Sequence, residues 1–179
     1  MDRRTAARLF VAAAVAFSLT ACGGDDEPSS SASPSDAACV SRSATAQSAD
    51  GLSTDLSSAP EVPTTDAAPP CGLEVTDVVV GTGPEAVAGS AVEVKYLGAF
   101  YGTGEEFDSS WSRGDDETLP VTLGAGQVIE GFDQGITGMQ VGGRRMVTIP
   151  SDLGYGPNGQ GPIPGDATLV FVIDLVQVG

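Results

Sequence analysis

Histidine is absent from this 179-residue chain. Ser-His-Asp and Cys-His nucleophile systems both move a proton through an imidazole, so chemistry of that kind is excluded. Only three cysteines occur, scattered at 22, 39 and 71, and without histidine they compose no zinc constellation. No metal site and no cofactor is expected. Positive charge is scarce as well, with 8 Lys and Arg against 24 Asp and Glu, which makes nucleic acid a poor partner. Long apolar runs are also missing. The run Leu9 to Leu19 is too short to cross a bilayer comfortably as a helix.

What is present divides the chain into three. Arg3, Arg4 and Arg8, the apolar run and then Leu19-Thr20-Ala21-Cys22 read as an export signal over residues 1–21. The last four residues resemble the lipobox of bacterial lipoproteins. That resemblance implies acylation of Cys22 and an extracytoplasmic location, anchored to the cell membrane by lipid. The alternative is a buried apolar helix with an incidental cysteine. The Arg3-Arg4 pair leaves the general and the twin-arginine export routes both open.

Residues 22–70 are rich in Ser, Ala, Thr, Pro and Asp, with almost no large apolar side chain. Such a segment buries too little surface to offset the entropy of ordering, so a disordered tether is expected. Its r.m.s. reach would be about 40 Å. With Cys22 acylated, Cys39 and Cys71 remain in an oxidising compartment, and the even count favours a disulfide between them. Two free thiols in a flexible tail are the alternative. A bridge closing a disordered loop would add little stability.

The folded domain is expected over 71–179. Leu73 to Val80, Ala91 to Leu97, Arg144 to Ile149 and Thr168 to Val178 are β-branched and largely alternating. Glu105 to Phe107 and Pro120 to Leu123 are shorter extended pieces. Val92, Val94 and Tyr96 share one strand face, and Leu169, Phe171, Ile173 and Leu175 share another. Gly124 to Met139 holds the one convincing short helix, with Val128, Ile129, Phe132 and Ile136 on one face. Alternating strands predict an antiparallel sheet with one buried side, wrapped around that helix: an α+β fold.

Six motifs in register then carry a resemblance from Leu73 to the C-terminus. Val94-Lys95-Tyr96-Leu97-Gly98, Glu106-Phe107-Asp108-Ser109-Ser110, Gly126-Gln127-Val128-Ile129-Glu130-Gly131-Phe132, Met139-Gln140-Val141-Gly142-Gly143, Gly154-Tyr155-Gly156 and Ala167-Thr168-Leu169-Val170-Phe171 follow the order and spacing of the FKBP-type peptidyl-prolyl isomerases. The resemblance implies rotation about the bond before proline, on proline-containing polypeptides, by a monomer that also accepts macrolide inhibitors. Runner-up readings are a peptide-binding or chaperone module on the same fold, and a structural envelope lipoprotein.

Position by position, the resemblance implies a pocket. Tyr96 and Phe107 would be aromatic walls, Asp108 a carboxylate facing the twisted carbonyl, and Arg113 its holder. Val128 and Ile129 would form the wall at the start of the helix, Phe132 the floor and Phe171 the far side. Tyr155 would offer its hydroxyl to the substrate backbone. Leu119 stands where the family usually has an aromatic, which loosens that side, and the family's floor is often tryptophan. Gln160, Gly161 and Pro162 replace larger groups at the mouth, beside Ile163.

Overall fold

The computed structural model describes residues 51–114 and 116–179. The expected export segment, Cys22 and Cys39 lie outside the described residues. Among the described residues six strands are formed, β1 (Glu74–Val79), β2 (Ala91–Phe100), β3 (Glu106–Ser109), β4 (Leu119–Thr122), β5 (Arg144–Ile149) and β6 (Leu169–Val178), together with one α-helix, α1 (Glu130–Ile136). They make a single sheet in the order β1-β5-β6-β2-β3, with β4 also paired to β2. Every pairing is antiparallel, as the alternation predicts. Val92, Val94 and Tyr96 of β2 and Leu169, Phe171, Ile173 and Leu175 of β6 lie in one core, which α1 covers with Phe132 and Ile136.

The helix is shorter than the stretch Gly124 to Met139 suggests. Ile129 caps it in extended backbone, with ψ 148°, and Val128 precedes it, so neither belongs to the helical face. Gly124 and Gly126 both hold positive φ, a conformation that delays the first helical turn. Gly131 and Gly135 lie one turn apart, and a Cβ on either would collide with Ile149 or Val147. Their bareness lets the helix settle directly on β5. The last turn of α1 contains no basic residue. Arg145 of β5 supplies one from outside, its Nη1 donating to Gly135 O at 3.0 Å and Thr137 O at 3.2 Å while Nε holds Asp77 of β1 at 2.6 Å. A cation at those carbonyls complements the helix dipole.

The opposite face of the sheet is buried too. Val170 and Val172 of β6 and Met146 of β5 point away from the helix, and Leu52 packs on them at 7% exposure, with Val62 and Tyr101 alongside. Arg144 of β5 faces Asp174 of β6 in register. Its guanidinium is fully buried and bidentate, Nε to Oδ1 at 2.6 Å and Nη2 to Oδ2 at 2.7 Å. The remaining donors reach Ser53 O at 2.8 Å and Ser58 O at 3.0 Å. Burial pushes the Asp174 carboxyl above its ordinary range, against the pull of Arg144.

Two expectations are corrected here. Residues 51–70 are not a disordered tether but a strap packed on the sheet, so folded structure starts before residue 71. The sheet accordingly has two buried sides at β5 and β6 rather than one. The physical reason is the same in both cases: one leucine and two backbone carbonyls meet a buried apolar stripe and a guanidinium that needs acceptors.

Lys95, Arg113, Arg144 and Arg145 are the cationic side chains of residues 51–179, and each is engaged. Lys95 Nζ sits 4.3 Å over the Trp111 ring, and the three arginines pair with Asp108, Asp174 and Asp77. Replacing Arg144 by Met should strand the Asp174 carboxylate and both strap carbonyls. The expected cost is about 3–5 kcal/mol, read from urea unfolding at neutral pH. The double variant Arg144→Met/Asp174→Leu should recover the part due to the unpaired carboxylate, while the two strap carbonyls still lack their donor.

Candidate functional site

A cleft of about 150 Å³ opens between the core face of the sheet and the segment leading into α1, lined by Tyr96, Phe107, Asp108, Leu119, Gln127, Val128, Ile129, Phe132, Tyr155 and Phe171. Its aromatic base is built around Phe171. That ring stands edge-on to Phe132 at 5.2 Å and 79°, and to Phe107 at 5.6 Å and 85°, while Tyr96 meets Phe132 at 5.8 Å and 84°. Edge-to-face packing of this kind fixes ring orientation as well as burying area. Gly98 makes it possible. Gly98 lies opposite Phe171 across the β2–β6 ladder, and a Cβ there would come within 2.7 Å of Phe171 Cε1 and 2.8 Å of Phe107 Cζ.

The polar edge is a closed triangle. Tyr96 Oη donates to Asp108 Oδ2 at 2.6 Å, Arg113 Nη1 donates to Asp108 Oδ1 at 2.8 Å, and Arg113 Nη2 donates to Tyr96 Oη at 3.0 Å. Ser109 N–H adds a further bond to Asp108 Oδ1 at 2.9 Å. The Tyr96 hydroxyl proton is therefore committed to Asp108 and one of its lone pairs to Arg113. Burial, then the hydrogen bond to Asp108, raises the Tyr96 phenol above its ordinary range. Tyr155 is raised by burial first and by the Asp108 charge second. Both phenols stay protonated at neutral pH. No described residue hydrogen-bonds the Tyr155 hydroxyl, which leaves that donor available at the cleft.

Local backbone holds these groups. The Tyr96 main chain bonds Ser110 in both directions, N–H to Oγ at 3.0 Å and Ser110 N–H to Tyr96 O at 3.0 Å, which locks the turn after Asp108 to β2. Gln127 Oε1 accepts the Thr122 N–H at 2.8 Å, and Asp133 Oδ2 accepts the Gly124 N–H at 2.7 Å. These two bonds tie the segment before α1 to β4 and to the helix, and so place Val128 and Ile129.

Nine of the residues expected for the site line this cleft: Tyr96, Phe107, Asp108, Leu119, Val128, Ile129, Phe132, Tyr155 and Phe171. Arg113 stands behind the wall, on Asp108 and Tyr96. Ile163 lines an adjoining hollow of about 230 Å³ with Phe107, Asp108, Tyr155, Gln160, Gly161 and Pro162. There the loop closes on itself, Gln160 and Ile163 exchanging both main-chain bonds at 2.9 Å. Sequence reasoning gave no role to Gln127 or Gly98. Both sit inside quoted motifs, but an amide that serves as a backbone cap and a glycine that makes room for two rings leave no periodic signal.

Comparison with known proteins agrees with this fold. The family model for FKBP-type peptidyl-prolyl cis-trans isomerases matches residues 83–176. An FK506-binding protein of Streptomyces anulatus is 52% identical over 122 residues, which are 66% of this chain and 96% of that protein. A probable FK506-binding protein of Corynebacterium glutamicum is 48% identical over 108 residues, 60% of this chain and 88% of the relative. Among solved structures, AtFKBP13 is similar with a TM-score of 0.56 at 38% identity, covering 62% of this chain and 95% of that one. FkpA from Escherichia coli is similar at 0.54 and 34%, covering 66% of this chain and 51% of that one.

Adding one methyl at Gly98 should force Phe171 and Phe107 apart. Gly98→Ala is expected to cost about 1–3 kcal/mol as an overpacked site does, read from denaturant melts. The ring-current shifts of both phenylalanines should move with it, and unchanged shifts would mean that the rings do not meet there.

Proposed function

The chain belongs to the FKBP-type peptidyl-prolyl cis-trans isomerases, and from that premise we propose how its cleft performs the rotation and where it does so. The X–Pro amide resists twisting with a resonance barrier of ~18–20 kcal/mol, and unassisted rotation takes ~10–100 s. The planar amide is the more polar form. A dry site walled by Tyr96, Phe107, Phe132 and Phe171 disfavours that ground state relative to the twisted one, so the barrier falls without a nucleophile. The proline ring sits over Phe132. Val128 and Leu119 close the side, and the Ile129 N–H and the Tyr155 hydroxyl hold the carbonyls that flank it. Asp108, fixed by Arg113 and Tyr96, faces the carbonyl that rotates. The observation that supports this arrangement best is the convergence of nine sequence-chosen residues on one cleft.

The FK506 binding named in the relatives is proposed for the same cleft, with Leu119 and Gly161-Pro162 leaving a wider mouth beside Ile163. A protease-coupled assay on a short X-Pro peptide tests the catalytic reading. Wild type should exceed the background rate, and Asp108→Ala and Tyr155→Phe should each lower kcat/KM by an amount equivalent to about 1–2 kcal/mol. A folded wild type with no rate above background would leave peptide binding without turnover.

The proposed clients are exported polypeptides, met outside the cytoplasm by a monomer held to the membrane through lipid on Cys22. A single acyl chain holds only marginally, so two or more are proposed. Cys39 is the proposed partner of Cys71. Mass mapping of the non-reduced mature chain checks both points: it should begin at an acylated Cys22 and contain a Cys39–Cys71 peptide. A chain that still begins at Met1, or a Cys22→Ala variant that keeps its membrane association, would contradict the anchor.

A further inference from the structure

The strap does more than cover the back of the sheet, because its second half is fastened to the turn between β2 and β3. The Thr65 N–H donates to Gly102 O at 2.9 Å, and the Tyr101 hydroxyl lies 3.4 Å from Ala68 O. Val62 O lies 2.5 Å from where a Cβ on Gly104 would stand. That turn feeds straight into the cleft wall. It is closed by Phe100 N–H to Glu105 O at 2.9 Å and Gly104 N–H to Phe100 O at 3.0 Å, and the Phe100 ring packs on Phe107 at 5.2 Å. The strand that carries Phe107 and Asp108 has four residues, and its register with β2 shifts between Gly98 and Ala99. Its Asp108 end is tied to β2 through Ser109 and Ser110, so the end at Glu106 and Phe107, where the ladder breaks, is the part that depends on the turn.

We propose that residues Val62 to Ala68 are positioning residues for the isomerase: they hold the β2–β3 turn, and through it Phe107 and Asp108, in the geometry that forms the cleft wall. The proposal rests on the reading of Phe107 and Asp108 as site residues. The first half of the strap reaches the back of the sheet: Ser53 O and Ser58 O accept from Arg144, and Leu52 packs on Met146, Val170 and Val172 in a cluster whose edge Val62 and Tyr101 share; none of these lines the cleft, and only the second half bonds the β2–β3 turn.

This division makes the test. In the full chain, Thr65→Pro deletes the N–H that bonds Gly102, while Leu52→Ala loosens the other end. Thr65→Pro should lower kcat/KM on an X-Pro peptide about fivefold to tenfold and shift the backbone amide resonances of Phe107 and Asp108. Leu52→Ala should lower the melting temperature yet keep kcat/KM within about twofold of wild type well below melting. Tyr101→Phe, which leaves the backbone intact, should shift the same two amides more weakly, and it serves if Thr65→Pro does not fold. Unmoved Phe107 and Asp108 amides, or an equal loss of kcat/KM in Leu52→Ala, would overturn the proposal and make the strap a stabilising cover only. An inactive wild type would instead overturn the catalytic reading, while the two amide shifts would still decide the positioning.

Discussion

A guanidinium and a carboxylate buried in mid-sheet are tolerated only if nearly all of their hydrogen-bonding capacity is used. Arg144 and Asp174 meet that demand by importing two carbonyls from a distant part of the chain, and much of the architecture follows. The pair sits opposite one another on β5 and β6, so it opposes a slip in the register of the two central strands. A slip by one residue would turn Phe171 away from the helix and Val170 toward it. An ion pair on one face of the sheet thereby supports the register that presents Phe171 to the cleft on the other.

On the cleft side the constraint is space rather than charge. Phe171 touches three other rings, and its place exists because position 98 has no side chain. The same bareness recurs at Gly131 and Gly135, where the helix meets β5 without an intervening layer. Rings and helix are thus located by missing atoms, which gives a cleft whose aromatic base is packed from behind and whose edge is polar. The proposed rotation, which needs shape and exclusion of water rather than proton transfer, suits this construction.

The strands and their antiparallel pairing were legible because alternation reports them directly, whereas the residues that line the cleft were reached only through the family resemblance that the six motifs carry. The helix was legible in existence and not in extent, since Val128 and Ile129 carry the right spacing while Gly124 and Gly126 hold a backbone that delays the first turn. The strap was missed for a different reason. Leu52 and Val62 are sparse apolar residues in a Ser/Pro/Asp background, and what holds the segment is mainly backbone carbonyls, which no side-chain pattern announces. One signal was available nonetheless. Leu169-Val170-Phe171-Val172-Ile173 is apolar without interruption, and a run of that kind marks a strand covered on both faces rather than one.

The engagement of Lys95, Arg113, Arg144 and Arg145 inside the fold bears on how the molecule behaves in a crowd. With its cations drawn onto aspartates and an indole ring, the outward charge of the described residues is dominated by Asp and Glu. Copies of such a body repel one another like particles of a charge-stabilised colloid, over a distance of about 10 Å at 0.1 M salt. A polypeptide segment carrying positive charge is drawn toward it before any residue touches the cleft. Encounter with a charged polypeptide is then biased at the stage of diffusion, and dissolved salt weakens that bias without altering a single contact.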